Sequence, residues 1–431
     1  MGHHVIENFD TLATTPLRRD ALLIAEAGYN AINVGSACIE RLSIKNDILS
    51  IDGVPYSLAG RHLFFVGVGK CAFAASLAIE EICGDRLAGG IALDVSPLEE
   101  GQSLTTIQTF VGTHPLPSDA NEHATKQILE FLSERTEDDL VLMLISGGGS
   151  TLLCLPPSPM TPADESVVWS ELTAKGVRIQ DMNTVRKHIS RARGGALSAA
   201  AFPAEVVALV VSDVPGNDIE YISSGPTVRD TSTSGDAEAI LKRYTISPSV
   251  YQCIETPKDE KFFKRVSTRL FLTNRDALTA MHQAAVSLGY TATIVDDMVT
   301  GDVREVGRAL LENLHAMPSK TVLVSAGETT VTLGETHGKG GRNQEMALAA
   351  LGDIRDDELI LPFASDGHDN TNVAGAVSDA TTREHAREHR LSIDEYLSKH
   401  CSYNFFAITK DALVTGYTGS NVSDLIIAMK K

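Results

Sequence analysis

The sequence predicts an α/β protein of two domains, each a mostly parallel sheet flanked by helices, divided as residues 1–258 and 259–431. Three observations carry this. At 431 residues the chain exceeds what one ordinary hydrophobic core supports. Short runs rich in Val, Ile and Leu alternate with helical-looking stretches, the rhythm of strands joined by crossover helices. That rhythm stops at a polar stretch, 257–264, and restarts beyond it.

In the first domain, strands are expected at 62–68, 90–95, 140–145 and 206–211, each apolar enough for burial on both faces. In the second they are expected at 269–272, 291–295, 321–324 and 358–363, with helices over 276–288 and 303–315. A further strand is read at 329–333 and a helix at 346–351, on either side of a glycine loop. The junction falls near 230–265, and the C-terminal stretch is expected to pack back at the boundary between the domains.

The charge balance is acidic. Lys and Arg number 37 against 56 Asp and Glu, giving a formal net charge of −19 and a pI near 5.1. This argues against a nucleic-acid partner, which needs a clustered basic face. Hydrophobic residues make up 43%, yet no apolar run approaches the ~20 residues of a bilayer span, so no membrane partner is expected. No signal-peptide pattern opens the sequence, and the six cysteines (Cys38, Cys71, Cys83, Cys154, Cys253, Cys401) form no C-x-x-C pair. Reduced thiols in a soluble cytoplasmic protein are expected. One basic cluster, Arg186, Lys187, His188, Arg191 and Arg193, reads either as a site for a small anion or as a solvated helix face.

Ligands of open parallel sheets bind beyond the carboxyl ends of the strands, and the glycine-rich segments fall there. Gly67-Val68-Gly69-Lys70-Cys71-Ala72 has two readings. As G-x-G-x-x-A, with Asp94 ending the next strand, it fits a dinucleotide fingerprint. As a phosphate grip, Lys70 reaches ATP oxygens; no Walker loop is present. Ser146-Gly147-Gly148-Gly149-Ser150 is an anion nest, since three glycines after a buried strand are entropically expensive unless the backbone approaches something. Ser212-Asp213-Val214-Pro215-Gly216-Asn217 places a carboxylate at a strand tip, where it can bind Mg²⁺ or accept a hydroxyl proton; it can equally stabilise a Pro-Gly turn. Ser223-Ser224-Gly225-Pro226-Thr227 follows.

In the second half, Gly338-Lys339-Gly340-Gly341-Arg342-Asn343-Gln344-Glu345 delivers an arginine to a helix start, the build of an anion site. Asp366 lies in the acidic turn Ser365-Asp366-Gly367-His368-Asp369-Asn370, and Thr415-Gly416-Tyr417-Thr418-Gly419-Ser420-Asn421 is a small polar loop able to close over a ligand. His114, in Thr113-His114-Pro115-Leu116-Pro117, reads as a turn histidine or a base. Together these supply cations for phosphates and carboxylates for a metal, the inventory of phosphoryl transfer.

Taken in order, the Gly67–Lys70, His114–Pro117, Ser146–Ser150, Asn183–His188, Ser212–Gly216, Ser223–Thr227, Gly338–Glu345 and Thr415–Asn421 segments resemble the class II glycerate 2-kinase family, including its C-terminal MOFRL domain, over nearly the whole chain. The resemblance implies a Rossmann-like N-terminal domain, a smaller MOFRL-type domain and an active site in the cleft between them. It also implies ATP-dependent phosphorylation of D-glycerate to 2-phosphoglycerate, dependence on Mg²⁺ or another divalent cation, and a homodimer.

Carried over, the family's functional lysine falls on Lys70 and its arginine on Arg342, with Asp213 as general base or metal-linked acid. Substrate or nucleotide contacts fall on Gly67, Gly69, Ser146, Gly147, Gly148, Gly149, Ser150, Arg186, Asn217, Ser224, Gly225, Gly340, Gly341, Asn343, Glu345, Asp366, Thr418 and Asn421; Asp213 and Asp366 are the metal candidates. Thr113, Arg193, Asn370 and Tyr417 depart from the family pattern. Two rivals stand beside this reading: an NAD(P)H-dependent hydroxypyruvate reductase resting on Gly67-x-Gly69 and Asp94, and a non-catalytic sensor of a phosphorylated metabolite.

Overall fold

The computed structural model describes residues 4–214, 216–333 and 337–431, which group into two compact units. One unit spans 34–212 and 217–271; the other gathers 1–33, 213–216 and 272–431.

The first unit is built on six strands in the spatial order Ile107–Val111, Leu87–Asp94, His62–Val68, Asp139–Ile145, Glu205–Val211, Val266–Leu272. The four neighbouring pairs among the first five strands are parallel. All seven residues of Asp139–Ile145 are buried, as a strand covered on both faces requires. The chain builds outward from His62–Val68 in one direction, then returns to lay Asp139–Ile145 on its other side. The winding therefore reverses between these two strands, and the loops leaving them flank the crevice where open sheets bind ligands. Val266–Leu272, expected to begin the second sheet, instead ends this one. A three-stranded antiparallel meander, Leu42–Lys45, Ile48–Ile51 and Val54–Ser57, precedes the sheet. Its tight turns use Asn46, Asp47, Asp52 and Gly53 at positive φ, a hairpin signal too short to weigh against the longer apolar runs.

The second unit's main sheet is mixed. Its order is Thr291–Val299, Thr321–Gly327, Asp424–Lys430, Glu358–Ala364, with the short strands Gly375–Ala376 and Ala412–Leu413 beyond. Thr291–Val299 and Thr321–Gly327 run parallel, whereas Asp424–Lys430 enters antiparallel between Thr321–Gly327 and Glu358–Ala364. Helices Val303–His315 and Arg342–Ala350 cover one core, with Leu310, Leu311, Leu314, Met346, Ile360 and Ile426 interlocked. The strand expected at 329–333 is reduced to an isolated bridge between Asp302 and Thr330.

The contact-defined units differ from a division at 258, since residues before 34 group with 272–431. Helix Pro16–Ala31, capped by Thr15 and opened by a proline at N1, packs on helix Asn274–Ser287; at Gly28 a methyl group would meet Met281 at 2.9 Å. Buried Arg18 pairs with Asp379 at 2.7 Å and Asp411 at 2.8 Å. A desolvated guanidinium needs such partners, and they are supplied from residues far along the chain. Among the described residues no single helix is long and apolar enough to cross a membrane.

Candidate active site

At the switch point, strand His62–Val68 gives way to Gly69, whose φ of +117° only glycine adopts readily. A methyl group there would stand 2.2 Å from Ser146 Oγ and 2.5 Å from its carbonyl. This close approach ties the two loops together: the Lys70 N–H donates to Gly147 O at 2.9 Å, and Cys71 N–H donates to Ser146 Oγ at 3.1 Å. Lys70 is half-buried, and its Cγ and His114 Cδ2 would lie 3.3 and 3.5 Å from a methyl group on Gly148. Lys70, His114 and the triple-glycine turn are thus neighbours.

The turn is braced from a third loop. Ser223 Oγ donates to Ser146 O at 2.7 Å, while Ser150 and Ser224 share a 2.9 Å hydroxyl contact and Ser224 continues to Asn183 Oδ1 at 3.1 Å. Ser223, Ser224 and Gly225 are successive left-handed residues, φ 52°, 59° and 57°. Two serines held there store strain, which persists where surrounding structure imposes it and clusters at functional sites.

Asp94 does not wait for a ribose. Its buried carboxylate accepts from Phe73 N–H at 3.0 Å and Val95 N–H at 2.6 Å, filling the start of helix Ala72–Cys83. Burial raises its pKa to about 6 against these donors. In a dinucleotide site that helix start receives the pyrophosphate; here a protein carboxylate takes it.

The basic cluster is neither a solvated face nor a uniform anion site. Lys187 is buried against Asp230 at 3.2 Å, His188 donates through Nδ1 to Ile254 O at 2.8 Å with Nε2 3.2 Å from Ser232 Oγ, and Arg193 pairs with Glu165. Arg191 is exposed. Arg186 differs: its guanidinium lies 3.3 Å from the Trp169 ring centroid and makes no ion pair or hydrogen bond among the described residues. Burial and the neighbouring Arg193 charge lower its pKa to about 9.

In the second unit, the helix start behind Gly340 and Gly341 is already filled. Asp369 accepts the Asn343 and Gln344 N–H groups at 3.0 and 2.8 Å, and a methyl group on Gly341 would fall 2.0 Å from Asp369 O. The glycine admits this carboxylate, not an outside anion. Burial, then the charge of Asp424, raises the Asp369 pKa to about 6. Arg342 bonds Asp424 through Nε and Glu328 through Nη1 at 2.9 Å, and these carboxylates push its pKa up despite burial. Its Nη2 carries no bond among the described residues. Glu345, expected to touch ligand, is buried against Arg304 and lies 3.2 Å from His400. A cavity of about 520 Å³ is lined by Thr329, His337, Lys339, Gly340, Arg342 and His400.

Asp213 Oδ2 accepts from Asn421 Nδ2 at 3.2 Å. Asn217 stands at φ 55°, half-buried, and Pro215 lies outside the described residues. Asp366 Oδ1 accepts from His368 N–H at 3.0 Å, and its carbonyl takes Thr418 N–H at 3.2 Å. Thr418 Oγ1 donates to Ser365 O at 2.6 Å, so the 415–421 loop is laced to the Asp366 turn. Among the described residues no three His, Cys, Asp or Glu side chains converge as a metal cage. The departures fit: Asn370 takes φ 53°, which asparagine tolerates, and Thr113 is bound through N–H and hydroxyl to Asn121. Sequence reasoning missed Trp169, Glu165, Asp369 and Asp424. Glu165 and Trp169 are four apart on helix Pro162–Ala174, a same-face spacing that a reading centred on glycines passes over.

Comparison with known proteins identifies the family. A family model described as a domain of unknown function (DUF4147) matches residues 20–256, and the MOFRL family model matches 321–424. A glycerate 2-kinase from Pyrococcus horikoshii is 32% identical over 96% of this chain and 97% of its own. A relative from Agrobacterium vitis, 36% identical over 88% of this chain and 89% of its own, carries the provisional name hydroxypyruvate reductase. The crystal structure of a glycerate kinase from Thermotoga maritima superposes with a TM-score of 0.83 at 29% identity, covering 96% of this chain and 99% of that one. The chain belongs to the class II glycerate 2-kinase family with a C-terminal MOFRL domain.

Proposed function

We propose that this protein transfers the γ-phosphoryl group of ATP to the 2-hydroxyl of D-glycerate, releasing ADP and 2-phosphoglycerate. The observation that carries the reading is the switch-point cradle, where Lys70 lies against Gly148 beside the braced serines and Arg186 forms no ion pair among the described residues. Lys70 neutralises charge growing on the transferring phosphoryl group, and the Ser146–Ser150 turn positions its oxygens. Asp213, oriented by Asn421, accepts the proton of the 2-hydroxyl as the oxygen attacks phosphorus. Arg342 offers its remaining Nη2 to a phosphate oxygen in the adjoining cavity, while Asp424 and Glu328 fix its direction.

A divalent cation carried with ATP would be held by Asp213 and Asp366 beside phosphate oxygens and would supply charge neutralisation there. A cytoplasmic setting is retained from the sequence reading, and a homodimer from the family resemblance. The reductase reading is weakened by Asp94, which occupies the helix start a dinucleotide needs.

A ³¹P NMR spectrum of protein with Mg·ATP and D-glycerate tests the reading. A 2-phosphoglycerate resonance growing with ADP is expected; unchanged ATP, with NADH consumed on hydroxypyruvate, overturns it.

A further inference from the structure

Asn183 is buried on helix Ile179–His188, and both ends of its amide are spoken for. Nδ2 donates to Ile179 O at 3.2 Å, one turn back, which sets Oδ1 against Ser224 Oγ at 3.1 Å. Exchanging the two ends would press oxygen on the Ile179 carbonyl, so the amide has one orientation. A carbonyl oxygen only accepts, and a hydroxyl has a single hydrogen. The fully buried Ser224 hydroxyl therefore gives its hydrogen to Asn183.

That settles the next link. Ser224 Oγ and Ser150 Oγ are 2.9 Å apart, and with the Ser224 hydrogen already placed, Ser150 is the donor. The Ser150 hydrogen points inward, while its oxygen keeps its lone pairs and receives no hydrogen bond among the described residues. Ser150 is partly exposed, at the end of the turn that the Lys70 N–H ties down through Gly147 O. The relay thus leaves one side-chain oxygen at the site that can only accept.

Such an oxygen repels most of what the reaction brings. Phosphate and carboxylate oxygens are themselves acceptors and find no partner there. A ligand hydroxyl does. In the kinase reading the 2-hydroxyl of glycerate surrenders its proton to Asp213, which leaves the 3-hydroxyl, one carbon from the attacking oxygen. The ribose hydroxyls of ATP stand off from the transferred phosphoryl group by the length of the remaining phosphates.

We propose that Ser150 Oγ accepts the 3-hydroxyl of D-glycerate, and that Asn183, acting through Ser224, is the positioning residue that makes Ser150 an acceptor. The identity of the hydroxyl rests on the kinase reading. The family resemblance puts Ser150 and Ser224 among substrate or nucleotide contacts without distinguishing the two; the direction of the relay makes that distinction and brings in Asn183. Its consequence is specificity, because a site that holds a polar partner for a substrate hydroxyl rejects the analogue lacking it.

The test compares D-glycerate with D-lactate, the same 2-hydroxy acid without the 3-hydroxyl, on the intact protein. Two readouts are taken: kcat/KM for phosphorylation and equilibrium dialysis of each labelled acid. The native protein should favour D-glycerate on the order of 10-fold or more in both. Ser150→Ala should lower kcat/KM for D-glycerate far more than for D-lactate, bringing the two to within about threefold. Asn183→Leu and Ser224→Ala free the Ser150 hydrogen to turn outward and should narrow the preference in the same way, whereas Asn183→Asp keeps an acceptor facing Ser224 and should retain it. A structural loss alone would lower both acids together and leave their ratio intact. Ser150→Ala, at a partly exposed position, carries the test even where a buried Asn183 variant does not fold.

A preference that survives Ser150→Ala overturns the proposal, as does a rise in KM for ATP in place of the lost preference, which would mark a ribose hydroxyl; ADP formed with D-glycerate in either case leaves the kinase reading standing. A dialysis preference abolished by Ser150→Ala, with no ADP formed by the native protein, supports the contact and sinks the kinase reading. D-glycerate that does not bind overturns both.

Discussion

The Asp94 carboxylate lies 3.0 Å from the Phe73 N–H, so the helix after Gly67-x-Gly69 begins on an anion of its own sheet. Burial holds that carboxyl at a pKa of about 6, above its ordinary 3.8. The folded state therefore binds this proton more tightly than the unfolded chain does. The stabilisation is complete below the unfolded pKa and is lost as pH rises through about 6. Between pH 4 and 7 the urea stability of the native protein should fall relative to Asp94→Asn by up to about 3 kcal/mol. A difference that stays flat across that range would show the carboxylate to be ionised throughout.

Lys70 and Arg342 should separate in their effects. Lys70→Ala is expected to lower kcat on the order of 10²–10³-fold in steady-state assays. Arg342→Ala should lower turnover and also stability, by about 3 kcal/mol, because Asp424 is buried and loses its cation. Adding Asp424→Asn should restore the melt without restoring turnover. Recovery of both would make Arg342 a structural residue.

Gly69→Ala forces a methyl group to within 2.2 Å of Ser146 Oγ at a φ of +117°. Displacing the Lys70 loop by a fraction of an ångström is expected to reduce kcat/KM on the order of 10²-fold. Adding Ser146→Gly removes the hydroxyl but not the carbonyl at 2.5 Å, so steady-state kinetics should show little rescue.

Arg18→Met leaves Asp379 and Asp411 facing each other in the interior. Equilibrium unfolding should show a loss of about 3–5 kcal/mol. The triple variant with Asp379→Asn and Asp411→Asn should recover most of it; a single variant within 1 kcal/mol of the native protein, on the scale typical of surface changes, would mean that the pair is solvated.

What the sequence made legible was what repeats locally. The strands ending at Val68, Ile145 and Val211 are continuous apolar runs bounded by glycine or serine, and a buried parallel strand leaves no other trace. The strand Asp424–Lys430 has the same composition, yet its place at the centre of a sheet depends on partners roughly 65 and 100 residues away, which no local period encodes. The glycines at 340 and 341 illustrate a second limit. They do signal a carboxylate at a helix start, but the sequence cannot say that the carboxylate is Asp369. Lys187 and Arg186 stand side by side in the same cluster, and only the fold decides that one meets Asp230 while the other meets Trp169.

Strand Asp424–Lys430 also bears on how the protein is made. A ribosome delivers residues 34–271 early, and that unit has all its own strands to hand. Residues 4–33 precede that unit in the sequence yet find their partners beyond it, in helix Asn274–Ser287 and in Asp379 and Asp411. The sheet that anchors Arg342 then stays split, with the edges of Thr321–Gly327 and Glu358–Ala364 bare, until residues 424–430 arrive. A chain lacking residues 424–430 would leave the facing edges of Thr321–Gly327 and Glu358–Ala364 unpaired, the feature that chaperones and proteases recognise. The second unit's sheet is thus joined into one only when that strand is in place.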